Sequence, residues 1–168
     1  MRSPSPLCCG WLLAAALASS SCVDPVHTDA VAALGAEQNG ERPGPVHRAG
    51  QPCLTCHGGR GPASFELSVA GTIYATRTGT AALAGVQVTV QDATGSKRVL
   101  QTNQVGNFYV SKPEWDPVYP LFVRLDFGGK KKVMQTRIGG EGACAFCHNG
   151  PRPGGNAMHM PPVFLEDK

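Results

Sequence analysis

The sequence predicts a mainly β protein, a small antiparallel β-sandwich flanked by two short segments that carry cysteine and histidine. Three observations lead there. From Phe65 to about Arg137 apolar residues recur at every second position, the spacing that gives a strand one inward face. Turn-forming residues interrupt that pattern at short intervals. The composition, with 21 Gly, 14 Pro and only 16% charged residues, favours turns and strands over long helices. At 168 residues the chain has room for one modest domain with appendages.

Residues 1–21 read as a targeting segment. Arg2 supplies the positive start, Leu7 to Leu17 an apolar stretch too short to span a membrane convincingly, and Ser19-Ser20-Ser21-Cys22 a small-residue cleavage site. This arrangement resembles a bacterial lipoprotein signal. The resemblance implies lipidation of Cys22, a membrane anchor at the new N-terminus, and an exported protein of the periplasm or cell surface. Val23 resembles the following residue of lipoproteins sorted to the outer membrane. Ser19 stands where such signals commonly have leucine, so ordinary cleavage near Ala18 to Ser20 stays open. Residues 22–45 then read as a flexible tether, with a brief helix at most over Asp29 to Leu34 before Gly35, Gly40 and Arg42-Pro43-Gly44-Pro45.

Within residues 46–64 lies Cys53-Leu54-Thr55-Cys56-His57, and within 138–168 lies Cys144-Ala145-Phe146-Cys147-His148. Both spell C-x-x-C-H, the attachment signature of c-type haem. The spacing has a chemical reason. In a helical turn, positions i, i+3 and i+4 share a face. Two thiols can then form thioethers with the two vinyl groups of a porphyrin while the next imidazole serves as the proximal iron ligand. Two c-type haems are therefore expected on loop or short-helix segments, attached at Cys53, Cys56, Cys144 and Cys147, with His57 and His148 as proximal ligands. Zinc is a weaker reading, because zinc ribbons separate their pairs by about 15–20 residues and here a whole domain intervenes. A thioredoxin-like pair would need β-α-β surroundings that the sequence does not offer. A disulfide framework leaves the adjacent histidines unexplained. The other cysteines, Cys8, Cys9 and Cys22, all lie near the N-terminus.

The strands come next, over residues 65–137. Phe65, Leu67 and Val69 alternate with polar or small residues, as do Val86, Val88 and Val90, and then Leu121, Val123, Leu125 and Phe127. Asp92-Ala93-Thr94-Gly95, Gln104-Val105-Gly106-Asn107 and Gly128-Gly129 mark turns between six or seven short strands. The run from Ala70-Gly71-Thr72-Ile73-Tyr74 through Leu83-Ala84-Gly85-Val86-Gln87-Val88-Thr89-Val90, Gly95 and Thr102 to Gly106-Asn107-Phe108 resembles the carboxypeptidase regulatory-like domain, a transthyretin-like β-sandwich. That likeness covers roughly 45 residues and implies a non-catalytic scaffold. Lys130-Lys131-Lys132 reads as a solvated hairpin edge that guards against strand pairing, with a docking patch for an acidic redox partner as the lesser alternative.

Two positions beside the pentads, Arg60 and Arg152, are candidate partners for haem propionates, with ordinary surface arginine as the equal alternative. The sixth iron positions need ligands if the irons are to carry electrons without binding substrate. His47, ten residues before His57, and His159, in the tail Met158-His159-Met160, are the favoured distal ligands, with His27 in reserve. Met160, followed by proline as the ligand methionine of small cytochromes is, forms the alternative.

The charge balance is near neutral. Without residues 1–21, which include Arg2, 14 basic residues (15 less one) face 12 acidic ones, and propionates would add negative charge. No basic stripe with interleaved aromatics points to nucleic acid. As a whole the chain resembles small exported multihaem c-type cytochromes. That resemblance implies electron transfer outside the cytoplasm, with redox partner proteins such as other cytochromes, and no enzymatic role. A haem sensor or small peroxidase with one open iron, and a surface assembly or adhesion module inside a larger cytochrome complex, are the competing functions.

Overall fold

The computed structural model describes residues 24–37, 42–150 and 158–166. Cys22 and Arg152 lie outside them. The described chain is mainly β, with three short helices: α1 Pro25–Ala33, α2 Leu54–His57 and α3 Cys144–Cys147. Seven strands lie in the stretch where alternation predicts six or seven: β1 Leu67–Thr72, β2 Tyr74–Thr76, β3 Gln87–Gln91, β4 Lys97–Gln101, β5 Asn107–Ser111, β6 Phe122–Phe127 and β7 Lys130–Val133. An eighth, β8 Phe164–Glu166, follows the second pentad.

Antiparallel pairing orders four strands as β4-β3-β6-β7, and β1 pairs antiparallel with β5. β8 instead lies parallel to β2, with Tyr74 opposite Phe164 and Thr76 opposite Glu166. The turns form where their residues were read. Asp92 Oδ1 accepts bonds from the Thr94 and Ser96 amides and from the Thr94 hydroxyl at 2.9, 3.0 and 2.7 Å, closing the β3–β4 hairpin. Gly128 and Gly129, at φ 57° and 80°, supply the left-handed pair that joins β6 to β7.

Alternation works as expected in β3, where Val88 and Val90 are fully buried and Gln87 is exposed. With Val69, Ile73, Val86, Phe108, Val110, Trp115, Leu121, Leu125 and Leu165 they make one core. β1 departs from the half-buried pattern expected of it, since all six residues are buried. Its small face is covered by both pentad segments: the Gly50 amide donates to Thr72 Oγ1 at 2.7 Å, and Ala70 bridges to Ala143. β1 is thus the strand on which both cysteine-bearing turns rest.

The lysine run occupies β7, at one edge of the four-stranded sheet. Lys130 pairs with Glu166, Lys131 with Asp126 at 3.9 Å, and Lys132 Nζ sits 3.4 Å from the Phe164 ring centroid. This is the hairpin edge, with its charge partly balanced by neighbours. Among the described residues no helix is long and apolar enough to cross a membrane.

Residues 24–37 are more than a tether. Asp24 accepts from the Val26 and His27 amides, and Pro25 opens the helix, so α1 starts four residues before the brief helix expected at Asp29. Its Val31 and the following Leu34 reach the first pentad.

Candidate functional site

Each pentad folds as a single helical turn, which brings the two sulfurs of C-x-x-C to one side and sets the histidine at its end. The Cys56 amide donates to Cys53 O at 3.1 Å and the His57 amide to the same oxygen at 2.9 Å. In the second turn the His148 amide donates to Cys144 O at 2.8 Å.

The histidines share a further feature. His57 Nδ1 lies 3.1 Å from Phe65 O, and His148 Nδ1 lies 2.8 Å from Pro161 O. Each bond selects the tautomer in which Nδ1–H donates to a main-chain carbonyl and Nε2 keeps its lone pair. Orientation of a metal-binding imidazole by a carbonyl on its other nitrogen is the usual supporting contact of such ligands. The Phe65 ring, 4.5 Å from His57 between centroids, packs against the same imidazole.

The cavity beside the first turn measures about 640 Å³, within the range of cofactor sites. Cys53, Cys56 and His57 line it, with Leu34, Phe65, Leu67 and Phe108 as apolar wall. His47 lines it as well. Its ring centroid stands 5.9 Å from that of His57, close to the roughly 6 Å that results when one metal ion lies between two imidazole nitrogens about 2 Å from each. His47 Nδ1 is engaged by Gly44 N and O, so Nε2 is again the nitrogen left for a ligand. The residues present therefore fit a haem held between two histidines. His27 lies on the face of α1 shared with Val31 and Leu34 but does not line the cavity; its buried Nε2 has no hydrogen-bond partner among the described residues.

The second cavity is smaller, about 230 Å³, and is lined by Cys144, Cys147, His148, Met134, Met160 and the sheet residues Val123, Leu125 and Phe164. His159 is not on its wall and its side chain is exposed, so the structure does not bring this favoured distal ligand to the second pentad. Met158 is 90% exposed. Met160 does reach the cavity, and so does Met134, which sequence spacing did not single out.

The two sites adjoin. Phe108 lines both cavities. A Cβ on Gly71 would stand 2.8 Å from Cys144 Sγ and 2.9 Å from the Phe108 ring, so this strand glycine lets the second turn sit against β1. Burial pushes the Cys53 thiol up to about 11 and the Cys144 thiol up to about 12, the latter also raised by the nearby Cys53. Among the described residues, no group of three or more His, Cys, Asp or Glu converges to hold a bare ion.

The arginines sort differently from expectation. Arg60 is exposed, pairs with Asp24 at 3.5 Å and does not line the first cavity. Arg48 does, held by Glu37 at 3.6 Å, Gln51 Oε1 at 2.8 Å and Gly35 O at 2.9 Å. Its φ of 51° is uncommon for a residue with a side chain, and these contacts hold it there. A sequence signal for Arg48 existed in its position beside His47, but its reach depends on the fold of residues 34–51.

No family model matches the chain, and neither a curated protein nor a solved structure is found to be similar to it.

Proposed function

We propose that the chain is a dihaem c-type cytochrome that carries electrons outside the cytoplasm, with one haem on each pentad. The observation that supports this most is the repeated arrangement of a C-x-x-C-H helical turn, an imidazole whose Nδ1 is held by a main-chain carbonyl, and a largely apolar cavity lined by that imidazole and both cysteines. Chance or a structural role gives no reason for both pentads to share all three.

When bound, each haem supplies a one-electron iron couple. The chain's own residues do the rest. Cys53, Cys56, Cys144 and Cys147 would fix each porphyrin by thioethers, and the Phe65 and Pro161 carbonyls orient the two imidazoles. His47, 5.9 Å from His57 on the same cavity wall, would serve as a second ligand to the iron and so keep substrate from it, while Arg48 on that wall would neutralise a propionate. Apolar walls exclude water and lower the reorganisation that a change of charge demands. Phe108 lines both cavities, which supports reading the two centres as neighbours. The sheets are read as the layers of a transthyretin-like sandwich acting as scaffold, and the export signal with Cys22 as the means by which the domain is tethered to a membrane, the outer membrane being favoured.

The test is an intact mass and visible spectrum of the exported full-length chain from a host with haem-attachment machinery. Two covalent haems are expected; a colourless product, or one carrying zinc, overturns the reading. The sensor or peroxidase alternative has one observation in its favour: among the described residues, His148 is the only histidine on the second cavity's wall. Carbon monoxide binding by the reduced wild-type protein would favour it.

A further inference from the structure

Among the described residues, His148 is the only histidine that lines the second cavity. Two methionines line that cavity, Met160 and Met134, and they belong to different segments of the chain.

Met160 belongs to the strap behind His148. Its amide donates to Cys147 O at 3.1 Å, its carbonyl accepts from Gly150 N at 2.7 Å, and the next carbonyl, Pro161 O, holds His148 Nδ1. The strap thus lies against the Nδ1 edge of the ring, whereas a ligand to the same iron must approach from beyond Nε2. Met134 sits on the sheet side. It directly follows β7, its amide donates to Val123 O of β6 at 3.0 Å, and Val123 and Leu125 form the wall around it. A methionine there would ordinarily be a packing residue, but Met134 is not part of the core or of the partly buried shell packed on it. It is half-buried at a cavity wall, whereas Met160 is 46% exposed. A position next to a paired strand also holds a ligand more firmly than a loop does.

We propose that Met134 is the distal ligand of the second haem iron, its thioether sulfur facing His148, an assignment that rests on the dihaem reading. The chain then carries two unlike centres, His/His at the first pentad and His/Met at the second. Thioether ligation raises the reduction potential of a haem relative to two histidines, so the second centre is the electron sink of the pair.

The experiment uses the full exported chain and its Met134→Leu, Met160→Leu and His159→Leu variants, with intact mass to count haems. The oxidised spectrum is read for the sulfur-to-iron charge-transfer band, and the reduced protein is titrated with carbon monoxide. The wild type should show the band and bind no carbon monoxide. Met134→Leu should retain two haems, lose the band completely and bind one carbon monoxide per chain, while the other two variants behave as wild type. If Met134→Leu is not exported, Met134→His should keep low-spin iron at both centres while abolishing the band. Survival of the band in the Met134 variants, its loss in Met160→Leu, or two haems with no band in the wild type each overturns the assignment and leaves the dihaem reading intact. A wild-type mass without haem overturns the dihaem reading itself.

Discussion

The two pentads have the same local structure and unlike surroundings. Both close one helical turn and present an imidazole oriented by a main-chain carbonyl. Before the first lies a cavity of about 640 Å³ with a second histidine 5.9 Å away; before the second lies one of about 230 Å³ with two methionines on its wall. The difference teaches that five consecutive residues suffice to fix each turn and its histidine, while the rest of each cavity wall is assembled by the fold. His47 comes to His57 because residues 42–50 fold back on β1 and β5, where Asn107 Nδ2 donates to the Pro45 and His47 carbonyls at 3.3 and 3.2 Å. The second pentad has no such segment bringing a second histidine to its cavity among the described residues, and sheet residues such as Val123 and Leu125 help line it.

The largest effect that can break this comparison is removal of the attachment points. Replacing Cys53 and Cys56 with alanine should take away one haem, and replacing Cys144 and Cys147 the other, each read as the loss of one haem mass with the remaining centre's spectrum preserved. Loss of both haems from either pair would show that the sites depend on each other for assembly. Next, His47→Ala should convert only the first centre from six- to five-coordinate, seen as a high-spin component in about half of the haem and one carbon monoxide bound per chain. A wild-type response would remove His47 from the site. Smaller again, Gly71→Ala places a methyl group against Cys144 Sγ and the Phe108 ring. Overpacking of that kind costs about 1–3 kcal/mol and should lower the thermal midpoint while shifting the second centre's spectrum more than the first's.

The smallest effect serves as a control away from both cavities. The Thr94 hydroxyl, together with the Val118, Thr94 and Ser96 amides, holds the Asp92 carboxyl below its ordinary 3.8. Its stabilising contribution is therefore complete above that value and is lost as pH falls through the lowered one. Asp92→Asn should unfold at a lower temperature than wild type at pH 7, with the gap narrowing in acid and both haem spectra unchanged. An equal gap at pH 7 and in strong acid would show that the charge is not what the turn uses.

Much of the architecture was legible in the residues. Val86, Val88 and Val90 announce β3, Gly128-Gly129 the β6–β7 hairpin, and each C-x-x-C-H a helical turn, because in all three the deciding interactions span only a few positions. What escaped depends on distant partners. β1 is buried on both faces since the pentad segments cover it, through contacts made across 22 residues on one side (Gly50 to Thr72) and 73 on the other (Ala70 to Ala143). The helix α1 was shortened in prospect because the cap at Asp24 weighs more than the weak periodicity after it. β8 is three residues long and gains its identity from pairing with β2. At the sites, the pentads that carry His57 and His148 are legible from neighbours in sequence, whereas the presence of Arg48 and not Arg60 on the first cavity's wall, and of Met134 beside Met160 on the second's, emerges only once the chain has folded.

The parallel pairing of β8 with β2 bears on how the protein matures. Every residue lining the first cavity precedes Ser111, so that centre can close while translation and export are still delivering the remainder. The carbonyl on His148 belongs to Pro161, three residues before the strand that pairs with Tyr74 and Thr76. If the chain takes up haem as proposed, loading should be sequential, and a purification handle at the C-terminal end should yield a half-loaded chain whose colour comes from the N-terminal site alone.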